Sequence, residues 1–249
     1  MCFDASGNLY STNFEDNSVS KFDSSGNLLV AHYAGPFNAA PESCVFDSSG
    51  NMYVGQADGT GNILKFDSTG TLTDTLTVAH DDRGSDWIDL ASDQCTLFYT
   101  SEGSKVLRYN ACTHTQLADF AIGLPAPCYA LRIRTNGEVL VTCAAQVVRL
   151  DSSGTNIGST TAVSLGLTSL FAMNLDPDGT SFWTAGFNQD KVVKADITTG
   201  NVVGSFTFTG VGNSNAGLTV FGEPLASVTP PPPPEEPPPP VAIQPTFTG

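Results

Sequence analysis

The stretch "FDSSGN" stands at Phe22–Asn27 and again, unchanged, at Phe46–Asn51. Close variants are "FDASGN" at Phe3–Asn8 and "FDSTGT" at Phe66–Thr71. An Asp side chain accepts from backbone N–H groups just ahead of it, Ser does the same more weakly, and Gly takes a positive φ without a Cβ clash, so the phrase is a turn. Each copy is followed by a β-branched and aromatic run such as "NLYST", "NMYVG" or "TLTDTL", which reads as a strand. The phrase therefore predicts a hairpin turn stamped repeatedly into an all-β chain.

The apolar residue ahead of each turn falls at Phe3, Phe46, Leu90, Ile133, Leu175 and Phe221, with gaps of 43, 44, 43, 42 and 46 residues. A period near 40–45 with several short strands per unit is the mark of β-propeller blades. Each repeat supplies an inner strand, the turn and a second strand. A third follows, such as "SVSKFD", "NILKFD", "KVLRYN", "QVVRLD" or "KVVKAD", and then a fourth, such as "NLLVAHYA" or "NVVGSFTF".

On these residues the chain resembles the NHL, YVTN and gluconolactonase-like six-bladed β-propellers, over roughly residues 1–228. The resemblance implies six four-stranded antiparallel blades. It is specific for fold and silent on function, because this scaffold hosts enzymes, binding modules and surface proteins alike. The sixth repeat holds only "GLTVFGEP" and "LASV" before "TPPPPPEEPPPP" begins, and Pro cannot donate to a strand ladder. The last blade is therefore expected to be incomplete, leaving a strand edge of the kind proteins usually protect.

Three regions follow: a propeller over 1–228, a polyproline II linker over 229–240 and a strand-like segment over 241–249. The run Pro230–Pro240 makes a stiff rod of roughly 34 Å at ~3.1 Å per residue. Beyond it "VAIQPTFTG" carries Val241, Ile243 and Phe247, and "TFTG" at Thr246–Gly249 repeats Thr207–Gly210. This segment is expected to dock by strand addition on a neighbouring copy, a head-to-tail contact that gives rings or filaments. The other reading is a stalk or linker. Thr229, Pro230, Pro231, Pro237 and Pro238 are candidate O-linked or hydroxyproline-linked sugar sites, and no Asn-x-Ser/Thr sequon is present.

The 249 residues suffice for one large β domain or two small ones. A net charge of −15 argues against nucleic acid or an anionic membrane as partner, since phosphate binding needs a basic face. No apolar run approaches the ~18 residues that span a membrane. No basic start leads into an apolar stretch, and the chain is expected to begin inside a repeat, as a mature or truncated end.

Six cysteines without a CxxC pair suggest disulfides, and hence an extracellular or cell-surface location. "CTLFYTSEGSKVLRYNAC" reads as two strands around a two-residue Gly103-Ser104 loop, which sets Glu102 opposite Lys105 and Cys95 opposite Cys112, Cα atoms ~4.5 Å apart. In "CYALRIRTNGEVLVTC" an Asn136-Gly137 loop misses the register of Cys128 and Cys143 by two residues, so that bond needs a longer or bulged turn. Cys2 and Cys44 lie at the same point of neighbouring inner strands and pair by elimination.

No GxSxG, HExxH or P-loop occurs, and "GVGNSN" lacks a dinucleotide fingerprint. His32, His80 and His114 read as surface residues. The acidic loops "DPDGT" at Asp176–Thr180 and "HDDRGSD" at His80–Asp86 lack EF-hand spacing. Turn chemistry explains the first, and the second is a candidate for Ca2+. The gluconolactonase resemblance implies a metal in the central channel held by Glu, Asn and Asp at inner-strand starts. Here those starts are near Met1, Glu42, Asp86, Tyr129, Phe171 and Asn215. Glu42 and Asp86 match, with Asn174 or Asn215 as a third ligand, while Tyr129 and Phe171 depart from the pattern and no general base stands out. Trp87 and Trp183 read as blade-packing aromatics. No cofactor is expected. The leading expectation is a non-catalytic structural or adhesive propeller joined by its tail. The alternatives are a tethered module binding a ligand, glycans included, and a metal-dependent lactonase-like hydrolase.

Overall fold

The computed structural model describes residues 1–208 and 216–224, and the expected tail residues, Asn215 and the sugar sites lie outside them. Among the described residues, twenty strands form five four-stranded antiparallel sheets, each running in chain order or its reverse. The first holds β1 (Cys2–Phe3), β2 (Leu9–Asn13), β3 (Ser18–Phe22) and β4 (Leu28–Ala34). The second holds β5 (Pro41–Phe46), β6 (Met52–Gln56), β7 (Ile63–Phe66) and β8 (Leu72–Leu76). The third holds β9 (Ile88–Leu90), β10 (Thr96–Tyr99), β11 (Leu107–Asn110) and β12 (Thr115–Gln116). The fourth holds β13 (Cys128–Ile133), β14 (Val139–Cys143), β15 (Gln146–Leu150) and β16 (Asn156–Thr161). The fifth holds β17 (Ala172–Leu175), β18 (Ser181–Ala185), β19 (Lys191–Asp196) and β20 (Val202–Thr207). The first strands sit side by side, β1 on β5, β5 on β9, β9 on β13 and β13 on β17, so the sheets radiate from a common centre. The chain is a β-propeller.

The repeated phrase folds as its chemistry dictates. Asp4 Oδ1 accepts from the N–H groups of Ser6 and Asn8, both at 2.9 Å. The Gly7 N–H reaches Asp4 O, and the Asp4 N–H reaches Asn8 O. Gly7 supplies the positive φ of 80° that a side chain would resist. The same set of bonds recurs from Asp23, Asp47, Asp67 and Asp151. Each turn is thus closed by the carboxylate and carbonyl of its own Asp.

Between neighbouring sheets lie apolar layers. Tyr10, Val19, Val54 and Phe66 fill the first, Ile63, Ile88, Leu97 and Tyr99 the second, Leu131, Val139, Val141 and Val148 the third, and Leu140, Met173, Phe182 and Val193 the fourth. Burial of a side chain of this size stabilises by about 1.5–3 kcal/mol, so these layers hold the ring together.

The described residues make five blades and not the six expected. In the sixth repeat, residues 216–224 form no strand. Gly222 sits at a φ of 77° just after the anchor Phe221, and Pro224 removes a donor, so the local chain cannot run on as a ladder. The segment instead bridges the first and fifth blades. Phe221 meets the Phe3 ring edge-on at 5.3 Å. Glu223 accepts from the Leu175 N–H and Asn174 Nδ2 and pairs with the buried Arg132.

The blade faces on either side of this segment carry exposed apolar side chains. Side chains alternate across a strand. Phe182 faces the fourth blade, so Trp183 and its stacking partner Phe206 face away from it. Tyr10 faces the second blade, so the register Phe3–Leu9–Phe22–Leu28 faces away from that one. Leu28 is 56% exposed, Phe206 46% and Phe221 65%.

Three disulfides are present: Cys2–Cys44, Cys95–Cys112 and Cys128–Cys143. The turn expected inside the second pair is different. Thr96 pairs Asn110 and Tyr99 pairs Leu107, one residue off the expected register, and Cys95 O accepts from the Ala111 N–H. The Cα atoms of Cys95 and Cys112 still lie 5.2 Å apart, within disulfide reach. Residues 100–106 form a wide loop because its backbone bonds elsewhere: Ser104 O accepts from Leu124, Gly103 O from Cys128, and Val106 bridges Ala121. In the third pair the two missing residues are both found. A three-residue turn, closed by the Arg134 N–H on Glu138 O, takes one, and a bulge between Cys128 and Leu131 takes the other.

Candidate functional site at the channel mouth

The inner strands begin at one end of the channel, and their first residues converge there. Glu42 is the second residue of β5, and Asp86 stands two residues ahead of β9. The structure brings these two sequence-predicted acids together and adds Glu102 from the wide loop of the third blade. One carboxylate oxygen from each lies within 4.8 Å of the others.

The backbone that carries Asp86 is fixed on every side. Gly84 and Ser85 donate to Ala57 O and Gln56 O, and Asp86 donates to Thr100 O. The Asp86 carbonyl accepts from Ser43 Oγ at 2.6 Å, and Ser43 Oγ accepts in turn from the Ile88 N–H. The approach is close enough to demand glycine at Gly84, where a Cβ would stand 2.0 Å from Gln56 O.

The side chain itself is unsatisfied. Asp86 is fully buried, and neither of its carboxylate oxygens has a hydrogen-bond partner; Glu42 Oε2 and Trp87 Nε1 are likewise buried and unpartnered. A buried polar group left unpaired is costly, and a charge more so. Asp89, three residues on, shows the ordinary solution: its carboxylate accepts from the N–H groups of Leu90 and Ile133.

Arg83 is the side-chain cation that faces the three acids. Arg83 Nη1 donates to Glu102 at 2.7 Å, while its other edge holds Asp58. Burial, followed by repulsion from Glu102, pushes the Glu42 carboxyl up to about 7, with Arg83 pulling the other way. Burial and then the charges of Glu42 and Glu102 push Asp86 well above the usual carboxylate range. Three carboxylates against one guanidinium can take up protons or a hard cation. Beside them runs an aromatic row. Tyr129 feels the charges of all three acids and packs on Phe171 at 4.9 Å, which touches Trp87 at 6.0 Å and Phe187 at 5.3 Å. Phe187 is half exposed.

The remaining expected ligands lie elsewhere. Asn174 gives its amide to Glu223. In the loop His80–Asp86, His80 bonds Gly61 O, and Asp81 takes the Ser104 N–H and Lys105, leaving only Asp86 for the cluster. Asp176 and Asp178 share Lys194. Trp87 is buried, and Trp183 donates to Asp176. His32 and His114 pair with Asp16 and Asp74 at the surface. Glu102 was missed because its place depends on the wide loop, whose long-range backbone bonds leave no mark in local spacing.

No protein-family model and no curated protein matches the chain. Among solved structures it is similar to streptogramin B lyase, at 15% identity and a TM-score of 0.64 over 85% of this chain and 68% of that one. It is also similar to hydrazine synthase of Kuenenia stuttgartiensis, at 14% identity and a TM-score of 0.55, over 68% of this chain and 49% of that one. At such identities the likeness bears on the propeller fold alone.

Proposed function

We propose that this chain is an extracellular or cell-surface propeller with a structural or adhesive, non-catalytic role, whose C-terminal segment joins one subunit head-to-tail to the next. The observation that carries this reading is the sector between the fifth and first blades. Its walls present Phe206, Phe221 and Leu28 to solvent, and the sequence beyond Pro224 offers a proline spacer followed by the apolar Val241, Ile243 and Phe247. An apolar strand entering that sector from a neighbouring copy covers those side chains, and the heterologous contact repeats without limit. Three disulfides suit an oxidising compartment, and the net charge of −15 disfavours polyanionic partners.

Light scattering on the full chain and on a chain ending at Pro224 tests the proposal. Multimers or filaments of the first and monomers of the second are expected; equal masses overturn it. Mass spectrometry of the tail decides whether Thr229 or the prolines carry sugar.

A second reading, a tethered ligand-binding module, is favoured by the acids and exposed aromatic at the channel mouth. Binding of a glycan that survives removal of the tail selects it. Lactone hydrolysis lost in Asp86→Asn would select the lactonase-like reading instead.

A further inference from the structure

We propose that Glu42, Asp86 and Glu102 form a binding site for a divalent, oxygen-seeking cation of the calcium class. The inference is independent of the assembly reading. It also departs from the ligand set that the lactonase resemblance implies, because Glu102 comes from a loop between strands and takes the third place in the cluster.

Two observations carry it together. The first is geometric. Calcium binds oxygen at 2.3–2.6 Å, so any two oxygens around one ion lie no more than roughly 4.6–5.2 Å apart. The three carboxylate oxygens, all within 4.8 Å of one another, meet that condition. The second is the state of Asp86. Its backbone is pinned by bonds to Ser43, Thr100 and the neighbouring strand, its side chain is fully buried, and both oxygens are without partners. A carboxylate kept for packing or folding is satisfied, as Asp89 is. One that is held rigidly toward two other acids with its lone pairs free fits a missing positive charge. Arg83 supplies one such charge, shared between Glu102 and Asp58, against three carboxylates. A divalent ion offsets most of the remaining negative charge.

The elements that build the site explain its rigidity. Glu42 lies on an inner strand whose neighbour Ser43 bonds the Asp86 carbonyl, and Glu102 follows Ser101, whose carbonyl accepts from the Arg83 N–H. The three ligands therefore come from two adjacent blades joined by direct hydrogen bonds. Water and ligand oxygens complete the coordination from the channel side.

The test uses the full chain, stripped with chelator and melted in CaCl2, MgCl2 or NaCl at matched ionic strength. At a calcium concentration 100 times Kd the melting temperature is expected to rise by roughly 5–10 °C, with a smaller rise in magnesium and none in sodium. The rise is expected to vanish in Asp86→Asn and Glu102→Gln and to persist in Glu15→Gln, an exposed acid outside the cluster. Asp86→Asn removes an unpartnered buried carboxyl, so it is expected to fold without the ion. As an independent readout, Tb3+ luminescence excited through Trp87 is expected in wild type and to be lost in Trp87→Phe and Glu102→Gln. No calcium-dependent rise, or an equal rise in the two cluster variants, overturns the proposal. So does Tb3+ emission that Glu102→Gln leaves unchanged.

Discussion

Glu42→Gln is expected to make the chelated protein more stable at pH 8 and to leave it unchanged at pH 4. The folded protein holds the Glu42 proton more tightly than the unfolded chain does, with a pKa raised from 4.5 to about 7 by burial and by the nearby Glu102. Stability is therefore undiminished below pH 4.5, falls as pH rises toward 7, and stays lower beyond it. Each tenfold difference in proton affinity is worth about 1.4 kcal/mol, so the loss is about 3 kcal/mol. Glutamine keeps the shape and cannot ionise, so it avoids that loss. For a chain of this size about 3 kcal/mol corresponds to roughly 6–12 °C in melting temperature. Urea denaturation in chelator at pH 4 and pH 8, on wild type and variant, gives the comparison. A variant no more stable than wild type at pH 8, or one shifted equally at both pH values, refutes the electrostatic account of the channel mouth.

Removing the Cys2–Cys44 bond with paired Cys→Ser changes is expected to cost about 4 kcal/mol from its 42-residue separation, and removing Cys95–Cys112, at 17 residues, about 3 kcal/mol, both read in urea. Glu223→Ala strands the buried Arg132 and is expected to cost about 3–5 kcal/mol, with the fifth blade losing amide-exchange protection first. At the acid end the slope reverses. The Asn27 amide and backbone donors hold the Asp23 carboxyl below its usual range, and Thr69 and Thr71 do the same for Asp67. Their contribution is present above about pH 4 and lost below it, so melts from pH 5 to pH 2 should fall, and less steeply in Asp23→Asn.

The parts of the fold legible in the sequence are those with local causes. The Asp–Gly turn declares itself because Asp4, Asp23 and Asp47 each accept from backbone N–H groups two and four residues ahead, and the 43-residue period follows from counting them. The three cysteine pairs were likewise within reach. Blade number was not. Phe221 repeats the apolar anchor, yet Gly222 and Pro224 bend the chain away from a ladder and toward Arg132 and Leu175, partners 91 and 48 residues earlier. The site was half legible for the same reason. Glu42 and Asp86 open inner strands and could be placed by counting. Glu102 could not, because "EGSK" has the look of a tight turn and opens only through bonds to Leu124, Cys128 and Ala121.

The Cys2–Cys44 bond ties the innermost strands of the first and second blades, with Cα atoms 5.6 Å apart. Tension entering upstream of Cys2 passes through sulfur to Cys44 and bypasses the whole first blade. The segment between them, which would otherwise release roughly 150 Å of slack over its 42-residue separation at ~3.5 Å each, carries no load. A subunit pulled between neighbours would keep that blade folded until a covalent bond failed.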